Sequence, residues 1–182
     1  MTPKVSLKFT ALGVFVFILL ACSEPPPPTD KLIVGKSLPD IQLVDFDGDH
    51  ASLADHNGKL IVLNLWATWC EPCRREMPAL QALSDSLDDN RFVVLGISVD
   101  DDVHNAREFL IDKDVRFTSY FDEGGAVANA ELGIPLYPYT LLISPEGQLI
   151  QRVPGAREWH HDDVVEILER AYHGDYSDLF SK

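Results

Sequence analysis

Apolar residues recur along this chain in two rhythms. Leu60-Ile61-Val62-Leu63-Asn64-Leu65 and Phe92-Val93-Val94-Leu95-Gly96-Ile97-Ser98-Val99 are nearly unbroken apolar runs, the pattern of strands buried on both faces in a sheet covered by helices. Between them Met77, Leu80, Leu83 and Leu87 fall at helical spacing and predict a core-facing helix stripe. Pro78 lies inside that helix and is expected to kink it. Asp100-Asp101-Asp102 offers N-caps to a helix marked by Val103, Ala106 and Leu110, and lacks the D-x-D-x-D-G spacing of a calcium loop. Val115 to Phe121 reads as a strand, and Gly124-Gly125 leads into a short helix, Ala126 to Leu132. Tyr139 to Ile143, the turn Pro145-Glu146-Gly147 and Leu149 to Val153 predict a hairpin. A last helix, about Glu158 to Tyr172, carries Val164, Val165, Leu168 and Tyr172 as its buried stripe and stops at Gly174. Upstream, Leu38 to Val44 alternates apolar and polar, Asp45 to Asp49 is turn-rich, and a short strand around His50 to Leu53 closes a hairpin. Strands alternating with helices place the chain in the α/β class.

The N-terminus has a different pattern. Met1 to Lys8 is short and basic, Phe9 to Leu20 is apolar, and Leu19-Leu20-Ala21-Cys22 follows. The apolar run falls short of the roughly 20 residues that span a bilayer and has the shape of a secretory h-region. Leu-Leu-Ala-Cys resembles the lipobox of bacterial lipoproteins. That resemblance implies cleavage before Cys22, with residues 1–21 as signal peptide, and lipidation of Cys22; an uncleaved signal anchor is the other reading. Several acyl chains on one cysteine hold a protein firmly where a single chain is marginal. Ser23 stands where aspartate is associated with inner-membrane retention, which implies outer-membrane sorting. Ser23 to Asp30 includes four consecutive prolines and predicts a semi-rigid spacer of about 3.1 Å per residue. Residues 22–36 therefore read as lipidated cysteine and tether, 37–174 as one folded domain, and 175–182 as a polar tail.

Charge narrows the partners. The 182 residues carry a formal charge of −14, and −16 once Lys4 and Lys8 leave with the first 21 residues. A surface this acidic favours solubility and repels nucleic acid. His160 and His161 are adjacent and expected on different faces, with no partner ligands for a metal.

Candidate chemistry lies where the first apolar run meets the first helix, at Trp66-Ala67-Thr68-Trp69-Cys70-Glu71-Pro72-Cys73-Arg74-Arg75-Glu76-Met77-Pro78. The N-terminus of a helix carries unsatisfied N–H groups and partial positive charge, so a thiolate at Cys70 is stabilised there and becomes a nucleophile near neutral pH. Cys73, about one turn inside, is placed to attack a mixed disulfide formed on Cys70. Arg74 and Arg75 favour the thiolate and Glu71 opposes it.

This stretch resembles the active site of the thioredoxin superfamily, and in detail the TlpA/ResA-type thiol–disulfide oxidoreductases of bacterial envelopes, over roughly residues 36 to 172. The resemblance implies a thioredoxin-like fold: a central mixed sheet flanked by helices, with an N-terminal β-hairpin and a central strand–helix insertion. It implies Glu76 as proton acceptor in place of a buried aspartate that Asn64 cannot replace. It implies Pro138 as a cis-proline facing the cysteines, with Pro135 the competing position. Tyr137 would offer backbone groups to an extended substrate, and Trp66, Trp69 and Pro72 would line the site. Protein thiols and disulfides are the implied substrates and an upstream thiol the electron donor, with no bound cofactor and action as a reductant in the periplasm-facing envelope. Two other uses of such a fold are a thiol peroxidase and a non-enzymatic copper carrier binding Cu(I) through thiolates. The first usually has a P-x-x-x-T-x-x-C setting and the second a C-x-x-x-C pair with a distant histidine, and this sequence resembles neither.

Overall fold

The computed structural model describes residues 31–177 and 179–180. The expected signal peptide, Cys22 and most of the tether lie outside those residues. The strands are β1 (Gln42–Val44), β2 (His50–Ser52), β3 (Leu60–Trp66), β4 (Phe92–Ser98), β5 (Ser119–Phe121), β6 (Tyr139–Ile143) and β7 (Leu149–Pro154). The longer helices are α1 (Glu71–Ser86), α2 (Val103–Asp112) and α3 (Asp162–Tyr172). β1 and β2 form a small antiparallel sheet, and the other five form one mixed sheet in the order β5-β4-β3-β6-β7. β3 is central, parallel to β4 and antiparallel to β6. All its residues are buried, which is why its apolar run is continuous rather than alternating. The thioredoxin-like architecture implied by the resemblance is the one observed, including the hairpin before the sheet and the inserted unit between β4 and β6.

Several elements differ from expectation at their ends. The strand expected from Val115 shrinks to Ser119–Phe121, because the Arg116 and Phe117 N–H groups donate to the Gln81 side-chain oxygen at 2.6 and 3.1 Å instead of to a neighbouring strand. Ala126–Glu131 is a wide π turn preceded by a 3-10 turn. Asp122 supports it by accepting the Val127 and Ala128 N–H groups at 2.9 and 2.8 Å. α1 is helical on both sides of Pro78. The last helix begins at Asp162 rather than Glu158, and its buried stripe is Val164, Leu168 and Ala171, with Val165 and Tyr172 half-buried. Of the residues lost from its start, Trp159 turns inward and places its ring in the core, while Glu158, His160 and His161 stay exposed.

Packing also reaches into both flanking segments. Leu32 is buried, and Gly35 donates its N–H to Leu149 O at 2.8 Å while Lys36 O accepts the Leu149 N–H at 2.9 Å. At the other end Leu179 is buried, and Phe180 meets the Trp159 ring edge-on at 5.6 Å and the Arg157 guanidinium at 4.4 Å. Among the described residues no helix is long and apolar enough to cross a membrane.

Candidate active site

β3 delivers the chain to one end of the sheet at Trp66, and the turn that follows starts α1 at Cys70. Cys70 is the N-cap, with extended backbone (φ −89°, ψ 101°), and its Sγ accepts the Cys73 N–H at 3.3 Å. Pro72 lies in the first turn of α1, where a helix loses no hydrogen bond to it. Cys70 and Cys73 are joined as a disulfide with Cα atoms 5.3 Å apart. Cys70 keeps 6% of its surface exposed and Cys73 none, so the outer sulfur is the one an incoming group reaches. Arg74 and Arg75 pair instead with Glu71, at 3.6 and 3.9 Å on the exposed face, so these three charges largely answer one another.

The turn itself is held by a carboxylate. Asp100, buried at the end of β4, accepts the Thr68 N–H at 3.0 Å, the Thr68 hydroxyl at 2.6 Å and the Ser98 hydroxyl at 2.7 Å. Of the three aspartates read as N-caps, only Asp102 caps α2, through the His104 N–H at 2.8 Å.

Glu76 lies one turn beyond Cys73, on the same helical face by spacing. It is 4% exposed. Asn64 Nδ2 donates to Oε1 at 2.9 Å; the Arg157 backbone N–H and Trp159 Nε1 donate to Oε2 at 3.1 and 3.2 Å. Burial raises this carboxyl above its ordinary value, and the hydrogen bonds from Asn64, Arg157 and Trp159 pull it partly back. Asn64 also donates to Thr140 Oγ1 at 3.0 Å, while its own Oδ1 is buried without a hydrogen-bond partner. The carboxyl is thus a buried group with a raised pKa, held by β3, by β6 through Thr140, and by the loop before α3.

A second loop comes to the same end of the sheet. Tyr139 lies opposite Leu65 in the β3–β6 ladder, which puts the preceding Tyr137–Pro138 bond, a cis bond, level with the Trp66–Cys70 turn. Trp69 meets the Tyr137 ring edge-on at 6.0 Å, so the two loops touch. Trp69 is 64% exposed and Leu136 75%, so each of the two loops presents an apolar side chain to solvent. The Tyr137 hydroxyl donates to Ile134 O at 3.2 Å, and burial, followed by the Asp122 charge, raises its pKa. Trp66 belongs to the core: it is fully buried with its ring 5.3 Å from that of Phe109.

Sequence reading overlooked Asp100 as an anchor of the turn, and Arg157 and Trp159 as donors to Glu76. Neither could be picked out without the fold, because Asp100 sits in a row of three equivalent aspartates and Trp159 falls in a segment that reads as helix.

Comparison with known proteins agrees with this arrangement. The AhpC/TSA family matches residues 34–152. The thiol-disulfide oxidoreductase ResA of Bacillus thuringiensis subsp. konkukian is 31% identical over 141 residues, covering 78% of this chain and 80% of the relative. The thioredoxin-like protein YneN of Bacillus subtilis is 36% identical over 115 residues, covering 62% of this chain and 66% of the relative. Among solved structures, a secreted thiol-disulfide isomerase from Corynebacterium glutamicum superposes with a TM-score of 0.66 at 26% identity, over 75% of this chain and 85% of its own. A disulfide-linked pair at a helix N-terminus in a thioredoxin-like sheet and these relatives lead to one assignment: the chain belongs to the AhpC/TSA family and is a thioredoxin-like thiol-disulfide oxidoreductase.

Proposed function

We propose that this oxidoreductase reduces disulfides in proteins of a bacterial envelope, held there by a lipid on Cys22 with residues 22–36 as its tether, facing the periplasm and sorted to the outer membrane. The observation that carries the catalytic part is the buried Glu76 carboxyl one turn from the buried Cys73. In the reduced protein the Cys70 thiolate attacks one sulfur of a substrate disulfide, and the other sulfur leaves as a thiolate. Cys73 then gives its proton to Glu76 and attacks the Cys70 sulfur, releasing the second substrate thiol. Two electrons pass to the substrate, and the Cys70–Cys73 disulfide remains until an upstream dithiol donor reduces it. Burial that raises a carboxyl's pKa makes it the better acceptor of that proton. Tyr137 and Pro138 shape the groove for an extended substrate strand, with Trp69 and Pro72 as its walls. The lipobox-like Leu19-Leu20-Ala21-Cys22 supports the anchor, and a relative described as secreted supports the compartment.

The test is the reduction potential of the pair, measured by equilibrating the protein in defined thiol buffers. A midpoint below about −220 mV is the expected result, and one near about −120 mV overturns the reductant assignment in favour of an oxidant. Cys73→Ser should accumulate a mixed disulfide on Cys70 with a protein substrate. Rapid stoichiometric oxidation by micromolar peroxide would instead indicate a peroxidase. Copper retained through gel filtration and lost in Cys70→Ser would indicate a metal carrier. Labelling with radioactive palmitate, lost in Cys22→Ser, tests the anchor.

A further inference from the structure

Just before α3, Glu158, His160 and His161 meet on the surface. One ligand atom from each lies within 4.8 Å of the others. His160 Nδ1 stands 3.5 Å from Glu158 Oε2, and the two imidazole rings stack with centroids 4.8 Å apart and planes 28° apart. The expectation of diverging histidines without a partner ligand is therefore corrected. A turn at Trp159–His160 and the extended backbone of His161, the N-cap of α3 (φ −75°, ψ 141°), bring both rings to one side.

We propose that Glu158, His160 and His161 form a surface site for a borderline divalent transition metal, represented by Zn²⁺. Imidazole nitrogen and carboxylate oxygen are the ligands such an ion takes at about 2.0–2.2 Å. Donor atoms of a tetrahedral shell of that radius are about 3.4 Å apart, a contraction that three exposed side chains reach by rotation. The backbone between them is already fixed: Trp159, sitting between Glu158 and His160, is fully buried and hydrogen-bonded to Glu76. That preorganisation lowers the ordering cost of binding. Asp162 and Asp163 in the first turn of α3 offset the positive helix end, which would otherwise oppose a cation. Three protein ligands leave a fourth position for water. The site shares no ligand with the redox pair and stands whatever the direction of electron flow.

The experiment titrates ZnCl₂ into the full chain by calorimetry at pH 7.5 with the Cys70–Cys73 disulfide intact, so that their thiolates do not compete. One ion per chain is expected, with affinity falling at least tenfold in the His160→Ala/His161→Ala double variant and weakened in Glu158→Gln, while His104→Ala leaves it unchanged. The Trp159 indole N–H resonance should shift and saturate at one equivalent. Undiminished binding by the folded double variant, or no binding by the wild type at millimolar Zn²⁺, overturns the proposal.

Discussion

Glu76→Ala and Glu76→Gln separate what the hydrogen bonds of the buried carboxyl do for folding from what its charge does. Alanine removes both oxygens. Asn64 Nδ2 keeps Thr140 Oγ1, but Trp159 Nε1 and the Arg157 N–H lose the partners they have at 3.2 and 3.1 Å. A buried donor left unpaired costs about 1–3 kcal/mol. Trp159 is fully buried, whereas Arg157 is half-buried and partly hydrated, so the pair costs about 2–4 kcal/mol. Glutamine keeps one oxygen for Arg157 and Trp159 and turns an N–H₂ towards Asn64. If the Asn64 amide rotates, its Oδ1, now without a partner, accepts from that N–H₂ and from the Thr140 hydroxyl, and the number of unpaired groups does not rise. Glu76→Gln should therefore stay within about 1 kcal/mol of the wild type. Urea titration of the oxidised chain at pH 7, read by midpoint and slope, measures both. A Glu76→Ala protein as stable as wild type, or a Glu76→Gln protein as weak as Glu76→Ala, would refute this accounting. The sign with pH is fixed as well. Burial raises the folded carboxyl above its ordinary 4.5, so the folded state binds that proton more tightly. Its contribution is fully present below 4.5 and is lost as pH rises through the folded pKa. The stability of wild type minus that of Glu76→Gln should fall across that window; a rise would mean that the hydrogen bonds outweigh burial.

Three further outcomes are expected. Asp100→Ala should cost about 1.5–3 kcal/mol, because it strips the Thr68 N–H and two hydroxyls of a charged partner, and it should speed hydrogen exchange at Thr68. Trp69→Ala removes an exposed ring and should change stability by no more than about 0.5 kcal/mol, while raising KM for a protein disulfide several-fold and leaving reaction with a small aromatic disulfide nearly unchanged. Gly96→Ala brings a Cβ to 2.7 Å from Ser119 Oγ and 3.1 Å from Trp66 Nε1; overpacking of about 1–3 kcal/mol is expected by thermal denaturation, with Ser119→Ala relieving part of it.

Much of this molecule is legible before any coordinates. β3, β4 and the β6–β7 hairpin announce themselves because strands buried on both faces need unbroken apolar residues, and α1 because its stripe repeats at helical spacing. The cysteine pair and its place in the fold are legible because Cys-x-x-Cys with Pro72, at a strand-to-helix turn, is a local pattern. What could not be read depends on distant partners. Residues 158–161 read as helix by composition, yet Trp159 is drawn into the core where Glu76 needs a donor. Val115 to Thr118 reads as strand, yet Gln81, a side chain on α1, takes the hydrogen bonds of Arg116 and Phe117. Asp100 is indistinguishable from its two neighbours until β4 points it at Thr68.

One segment ahead of β3 touches both margins of the five-stranded sheet. Ser37 bridges to Gln148 beside β7, and Asp45 bridges to Tyr120 on β5. The outer strands of a sheet carry unpaired N–H and C=O groups that recruit other chains. Covering part of each margin with the same stretch discourages such growth. A stretch that precedes the sheet in sequence thereby closes off, at two points, the margins along which another chain would add.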